Sequence, residues 1–116
     1  MPKELGPQLR LGQTLFNSGK FFEAHERWED VWRELDGEDK VFVQGLIQVA
    51  AALHKLTVEP QAHEGALYLI DRALQKIEGY PRFKGEPARL LPFIEIRNRI
   101  VAERIDLSDL PKLQLL

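Results

Sequence analysis

The feature that most constrains the fold is a long apolar segment, from about Asp39 to Thr57, whose hydrophobic residues cover most of a helix's circumference. These residues are Val41, Phe42, Val43, Leu46, Ile47, Val49, Leu53 and Leu56. Only one narrow polar stripe, formed by Gln44, Gln48 and Lys55, interrupts them. A helix that is apolar nearly all round is buried among other elements. The rest of the chain must therefore supply elements that surround this segment.

Four other segments supply helices for this purpose. Apolar residues recur three and four positions apart in residues 7–17, 21–35, 60–78 and 88–104. The prolines and glycines of residues 79–87 predict a loop, and Pro92 predicts a break or a fresh start in the last helix. No segment shows a convincing strand pattern. The sequence predicts an all-α, single-domain antiparallel helical bundle of four to five helices over residues 1–116.

Two details refine this prediction. Gly45 lies inside the central helix, where glycine costs about 1 kcal/mol relative to alanine. We therefore expect another helix to approach closely there. The last residues, 106–116, contain five leucines and are too apolar to remain free in water, so we expect this tail to pack along the bundle. The leucines are Leu107, Leu110, Leu113, Leu115 and Leu116.

Composition excludes several classes of function. The 116 residues contain no cysteine, which rules out disulfides, thiolate metal sites and a cysteine nucleophile. There is no phosphate-binding loop, no dinucleotide fingerprint and no serine in a Gly-x-Ser-x-Gly setting. A net charge of −2 argues against a nucleic-acid-binding surface. The N-terminus lacks an apolar signal core, and the run from Val49 to Leu53 is too short to cross a bilayer, so we expect a cytoplasmic protein without membrane partners.

The segment FFEAHERWEDVW, residues 21–32, contains the most suggestive polar residues. His25 and Glu29 lie one helical turn apart, so their side chains meet at the edge of the apolar face. Such a pair can act as a general base or supply two ligands to a metal. Gln44 and Gln48 repeat this spacing on the central helix. If their stripe faces His25 and Glu29, the four side chains form a polar cluster between two helices.

This cluster has three interpretations. It can satisfy its own hydrogen bonds and fix the register of the bundle. It can bind a small molecule or a partner, since pockets combine apolar walls with a few polar groups. It can also hold a metal, although His25-Glu26-x-x-Glu29 has only part of the His-Glu-x-x-His pattern. A third ligand would come from His54 or His63, but we expect His54 at the core edge, away from the glutamines, and His63 exposed.

Three runs together resemble a known family: FNSGKFFEAHERWEDVWR, QGLIQVAAALHK and HEGALYLIDRAL. They resemble the small helical proteins of domain of unknown function family 309, over residues 12–80 and less clearly after Glu86. The resemblance implies a helical bundle of bacterial or archaeal origin and no established activity. Many relatives have His-His where this chain has His54-Lys55. The motif positions carried over are Asn17, Gly19, Phe22, Glu23, His25, Glu26, Glu29, Trp32, Gln44, Gly45, Gln48 and His54.

The sequence thus predicts a non-catalytic domain that binds an unknown small molecule or protein, and it is compatible with a homo-oligomer. The predicted site is a cluster of five residues in which His25 is the hydrogen-bonding centre, Glu29 orients it and Glu26 enters by resemblance only. Its members are His25, Glu26, Glu29, Gln44 and Gln48. No cofactor is predicted. The alternative is a metal-dependent hydrolase that binds a divalent metal through His25 and Glu29.

Overall fold

The computed structural model describes Pro2 and residues 5–115, and these residues form six helices and no strand. The helices are α1 (Gly6–Asn17), α2 (Phe21–Arg33), α3 (Gly37–Val58), α4 (His63–Glu78), α5 (Pro81–Lys84) and α6 (Pro87–Val101). Consecutive helices from α1 to α4 pack on one another, and α6 packs on α4. The protein is an all-α single-domain bundle, so the predicted fold class is confirmed.

The long apolar segment is α3, which packs between α2 and α4. Phe42, Leu46 and Leu53 are almost fully buried on it. Among the described residues, α3 is the one helix long and apolar enough to cross a membrane, with a mean hydropathy of 1.4. This apolar stretch of α3 is longer than the run from Val49 to Leu53 noted in the sequence. Core helices of soluble proteins meet the same criteria of length and hydropathy. Burial between two helices explains why apolar residues cover so much of its circumference.

The close approach expected at Gly45 is confirmed. A Cβ atom at this position would lie 2.9 Å from Cγ1 of Ile77 and 3.1 Å from the carbonyl oxygen of Ala73, both in α4. These distances are shorter than normal contacts, so only glycine lets the two helices come this near. The cost of glycine in a helix interior is offset by the tight α3–α4 packing.

The second half of the chain differs from the prediction in three places. Helix α4 begins at His63 rather than Pro60, because a turn closed by the N–H of Ala62 and the carbonyl of Glu59 precedes it. The expected loop contains α5, which buries Phe83 in the core. Helix α6 also runs unbroken through Pro92. Proline there removes only the hydrogen bond to the carbonyl four residues earlier, at the exposed start of the helix, where water can replace it.

The C-terminal tail follows α6 and packs on the bundle as expected. Leu113 and Leu115 are buried, and Leu107 and Leu110 are half-buried. Leu116, the fifth leucine of the prediction, lies outside the described residues. The tail thereby adds apolar side chains to the core beyond the last helix.

Candidate functional site

The structure brings two residues of the predicted cluster together on α2. Nε2 of His25 lies 3.6 Å from Oε1 of Glu29, as the spacing of four residues predicts. The second carboxylate oxygen of Glu29 is 3.5 Å from the guanidinium of Arg33. Glu26 is exposed. The carboxylate of Glu29 therefore lies between an imidazole and a guanidinium at the edge of α2.

The two glutamines do not complete the predicted cluster. Oε1 of Gln48 accepts a hydrogen bond of 3.0 Å from Nζ of Lys76 in α4, and Gln44 is exposed. The reason is the orientation of α3. Gly45 fixes the face that packs on α4, and Gln48 lies three residues further on the same face. The polar stripe that was expected to face α2 is therefore turned toward α4 at Gln48.

A histidine assigned to the core edge takes the place of the glutamines. His54 lies on the α2 side of α3, and it shares a surface groove of about 280 Å³ with His25. Helices α2, α3 and α4 all contribute to this groove. Its lining residues are Phe22, His25, Ala51, His54, Lys55 and Leu69. We call this feature the histidine groove.

Phe22 connects the two histidines. Its ring centre lies 6.5 Å from that of His25, with the ring planes only 7° apart, and 5.3 Å from that of His54. The side chain is 49% exposed although it is large and apolar. An aromatic ring held between two imidazoles and open to solvent offers a stacking surface to a ligand.

Two small residues lie in or next to the groove. Ala51 lines it with only a methyl group. Gly65 of α4 makes room for Lys55, since a Cβ atom there would lie 2.6 Å from Cε of the lysine. Nζ of Lys55 lies 3.9 Å from a carboxylate oxygen of the exposed Glu59. Such an exposed ion pair is weak, so the ammonium group can exchange it for a ligand.

His63, the other histidine considered as a metal ligand, lies elsewhere. Its Nδ1 is 3.7 Å from the carboxylate of Glu103, and its side chain is half-buried rather than exposed. Across the described residues, no three His, Asp or Glu side chains lie close enough together to hold a metal ion. His25 and Glu29 thus remain a pair of potential donors without a third.

Sequence reasoning missed Phe22 and His54 as members of one site. Phe22 could have been identified from the sequence, because it is an aromatic residue on the polar, exposed face of α2. His54 could have been identified from its angular position on α3, which was correctly predicted to differ from that of Gln44 and Gln48. What failed was the assumption that the glutamine stripe marks the side of α3 facing α2.

The chain belongs to a family of helical domains without an assigned activity. It matches the family described as Domain of unknown function (DUF309) over residues 9–69, more than half of its length. The family resemblance seen in the sequence is therefore confirmed. The matched region includes every residue that lines the histidine groove. No curated protein and no solved structure matches the chain.

Proposed function

We propose that this protein is a binding domain, and that its histidine groove takes a small organic carboxylate with an apolar or aromatic body. The observation that carries the proposal is the half-exposed ring of Phe22 between His25 and His54. Ligand sites combine apolar walls with a few polar groups that converge on them. The groove has this composition.

The charges of the groove favour an anion. Its lining includes one lysine and two histidines and no acidic residue. The ammonium group of Lys55 and the N–H groups of the imidazoles are donors, and hydrogen bonds from charged donors to a carboxylate are stronger than neutral ones. Phe22 and Leu69 would contact the apolar body of the same ligand. A ligand with both parts therefore uses more of this groove than a simple anion or a hydrocarbon.

The size of the groove limits the ligand. A volume of about 280 Å³ lies just below the range for small-molecule pockets, which starts at about 300 Å³. A single ring or short aliphatic chain with one carboxylate fits this space, whereas a dinucleotide does not. Phenylacetate is a suitable probe because it combines a ring that can stack on Phe22 with one negative charge.

The test is a titration of the ¹⁵N-labelled protein with phenylacetate, followed by two-dimensional NMR. We expect shifts at Ala51, His54 and their neighbours, and we expect phenylacetamide, of equal shape but without charge, to bind at least about tenfold more weakly. Lys55→Gln should reduce phenylacetate affinity by a similar factor. The matched control is His63→Ala, which removes a histidine outside the groove and should leave affinity unchanged. Equal binding of acid and amide, or shifts confined to another surface, would contradict the proposal.

His25→Ala separates ligand binding from a purely structural role. If the imidazole only stabilises α2, this variant has a lower melting temperature and unchanged affinity for phenylacetate. If it contacts the ligand, affinity falls by about tenfold or more while the protein remains folded. Circular dichroism measures the first quantity, and the NMR titration measures the second.

A further inference from the structure

The outer side of α6 carries a row of exposed apolar residues. Leu91, Ile94 and Val101 are 60%, 36% and 52% exposed, whereas the inner side of the helix is buried. Together with the exposed Asn98 they are spaced three, four and three residues apart, which aligns them along one side of the helix. This is the spacing of the residues that pack against another helix in a coiled coil. We call these four residues the α6 stripe.

A groove of about 450 Å³ lies beside the α6 stripe, between α6 and α4. Ile94 and Asn98 of the stripe line it together with Leu74 and Glu78 of α4. This side of the molecule therefore presents a ridge next to a depression. A two-fold rotation can place the ridge of each copy against the depression of the other, which is the form of an isologous interface.

Ion pairs show that α4 and α6 run in opposite directions along this face. At the start of α4, Nδ1 of His63 lies 3.7 Å from the carboxylate of Glu103, just beyond the end of α6. Further along α4, Asp71 accepts a hydrogen bond of 2.5 Å from Nε of Arg97. As the residue number rises in α4, it falls in the neighbouring part of α6. The C-terminal end of α4 therefore lies toward the start of α6.

An acidic and a basic residue lie at opposite ends of the face. Glu78 is the last residue of α4, near the start of α6, whereas Arg104 follows the end of α6. Both are exposed, and neither forms an ion pair within the part of the chain that the structure describes. A two-fold axis across the middle of α6 exchanges the two ends, so that Glu78 of each copy faces Arg104 of the other. The charges of this face are thus complementary to those of a second copy.

We infer that two copies of this protein form a two-fold symmetric dimer through the α6 stripe, with their α6 helices antiparallel. The apolar stripe supplies the centre of the interface, and the two Glu78–Arg104 pairs lie at its rim. Asn98 lies near the two-fold axis, and its amide can both donate to and accept from the same residue of the second copy. No residue that lines the histidine groove belongs to this face, so the inference does not depend on the proposed ligand.

The first test is sedimentation velocity of the full-length protein at concentrations from about 5 to 500 µM. We expect the dimer fraction to rise over this range, and Leu91→Glu to weaken self-association by about tenfold or more because it places a charge within the apolar contact. The control is Leu11→Glu, the same change at an exposed leucine of α1, which packs on α2. It should leave self-association unchanged. A wild-type protein that remains a monomer throughout would overturn the inference and leave the stripe to a different partner.

The second test exchanges charges and examines the orientation of the two copies. Glu78→Arg and Arg104→Glu should each weaken the homodimer by about tenfold, since each puts like charges together at both ends of the face. An equimolar mixture of the two variants should form a heterodimer as tight as the wild-type dimer, because every pair is again opposite in charge. The variants differ in mass, so native mass spectrometry distinguishes the heterodimer from the homodimers. A mixture that associates no better than either variant alone would contradict the antiparallel arrangement and overturn the inference.

Discussion

The contact between Gly12 and Trp28 fixes how α1 and α2 pack, and it yields a quantitative prediction. The indole of Trp28 is fully buried against α1, and its N–H donates to the carbonyl of Leu9 at 3.2 Å. A Cβ atom at Gly12 would lie 2.5 Å from Cδ1 and 2.7 Å from Cε2 of this ring. Since carbon atoms in contact lie about 3.5 to 4.0 Å apart, Gly12→Ala must push the indole away by about 1 Å.

The free energy of unfolding should fall by about 1 to 3 kcal/mol in Gly12→Ala. Overpacking a core costs about 1 to 3 kcal/mol, and the displaced indole loses a hydrogen bond of about 1 kcal/mol. Alanine is better than glycine in a helix by about 0.5 to 1 kcal/mol, which offsets part of this cost. At Gly6, also in α1, the nearest atom to a new Cβ is an arginine nitrogen 3.6 Å away. Gly6→Ala should therefore be neutral or stabilising.

Urea denaturation followed by circular dichroism measures the free energy of unfolding of both variants. The decisive comparison repeats Gly12→Ala in a protein that also carries Trp28→Leu. Removing the indole should make Gly12→Ala much less costly, because the atoms it clashes with are gone. A Gly12→Ala protein as stable as the wild type would refute the reasoning. So would an equal cost with and without the indole, since the penalty would then have another source.

Three further predictions concern stability elsewhere. Burial and the hydrogen bond to Asp39 raise the pKa of Tyr80. Burial alone would raise the pKa of Asp39, but the 2.5 Å hydrogen bond from Tyr80 helps hold that pKa below its usual value. Tyr80→Phe should thus lower stability by about 1 kcal/mol at neutral pH, and urea titrations should show the difference shrinking below about pH 4, as Asp39 takes up a proton. Glu103 has a φ of +54°, so Glu103→Gly should stabilise by about 0.5 to 1 kcal/mol in urea denaturation, a gain that Glu103→Ala should lack. Leu113→Ala should cost about 2 kcal/mol in the same assay, and Gln114→Ala, at an exposed position, close to nothing.

The parts of the fold that followed from the sequence are those set by burial over many residues. Apolar residues around most of α3 require neighbours on several sides, and the flanking amphipathic segments supply them. The helical bundle could therefore be predicted without knowledge of any single contact. Gly45 was also informative, because a glycine inside a helix has no Cβ atom and so lets another helix come close. These inferences depend on patterns of several residues and tolerate an error in any one of them.

The orientation of a central helix is harder to predict, because neighbours lie on more than one of its sides. A polar stripe on α3 can face α2, α4 or the solvent between them, and the stripe alone does not distinguish these choices. The Lys76 side chain that pairs with Gln48 comes from α4, and nothing local to α3 indicates it. The same uncertainty concealed His54, whose partner ring, Phe22, lies more than thirty residues earlier in the chain.

The two faces of α2 connect the core with the histidine groove. Ala24, Trp28 and Val31 are buried and lock the helix against its neighbours, whereas Phe22 and His25 lie on the outer side. A helix cannot turn one face without turning the other, so the position of Phe22 relative to His54 is set by how the buried indole packs on α1. The groove is therefore held in shape by core contacts, so the ligand that we propose would lose less entropy on binding than at a flexible site.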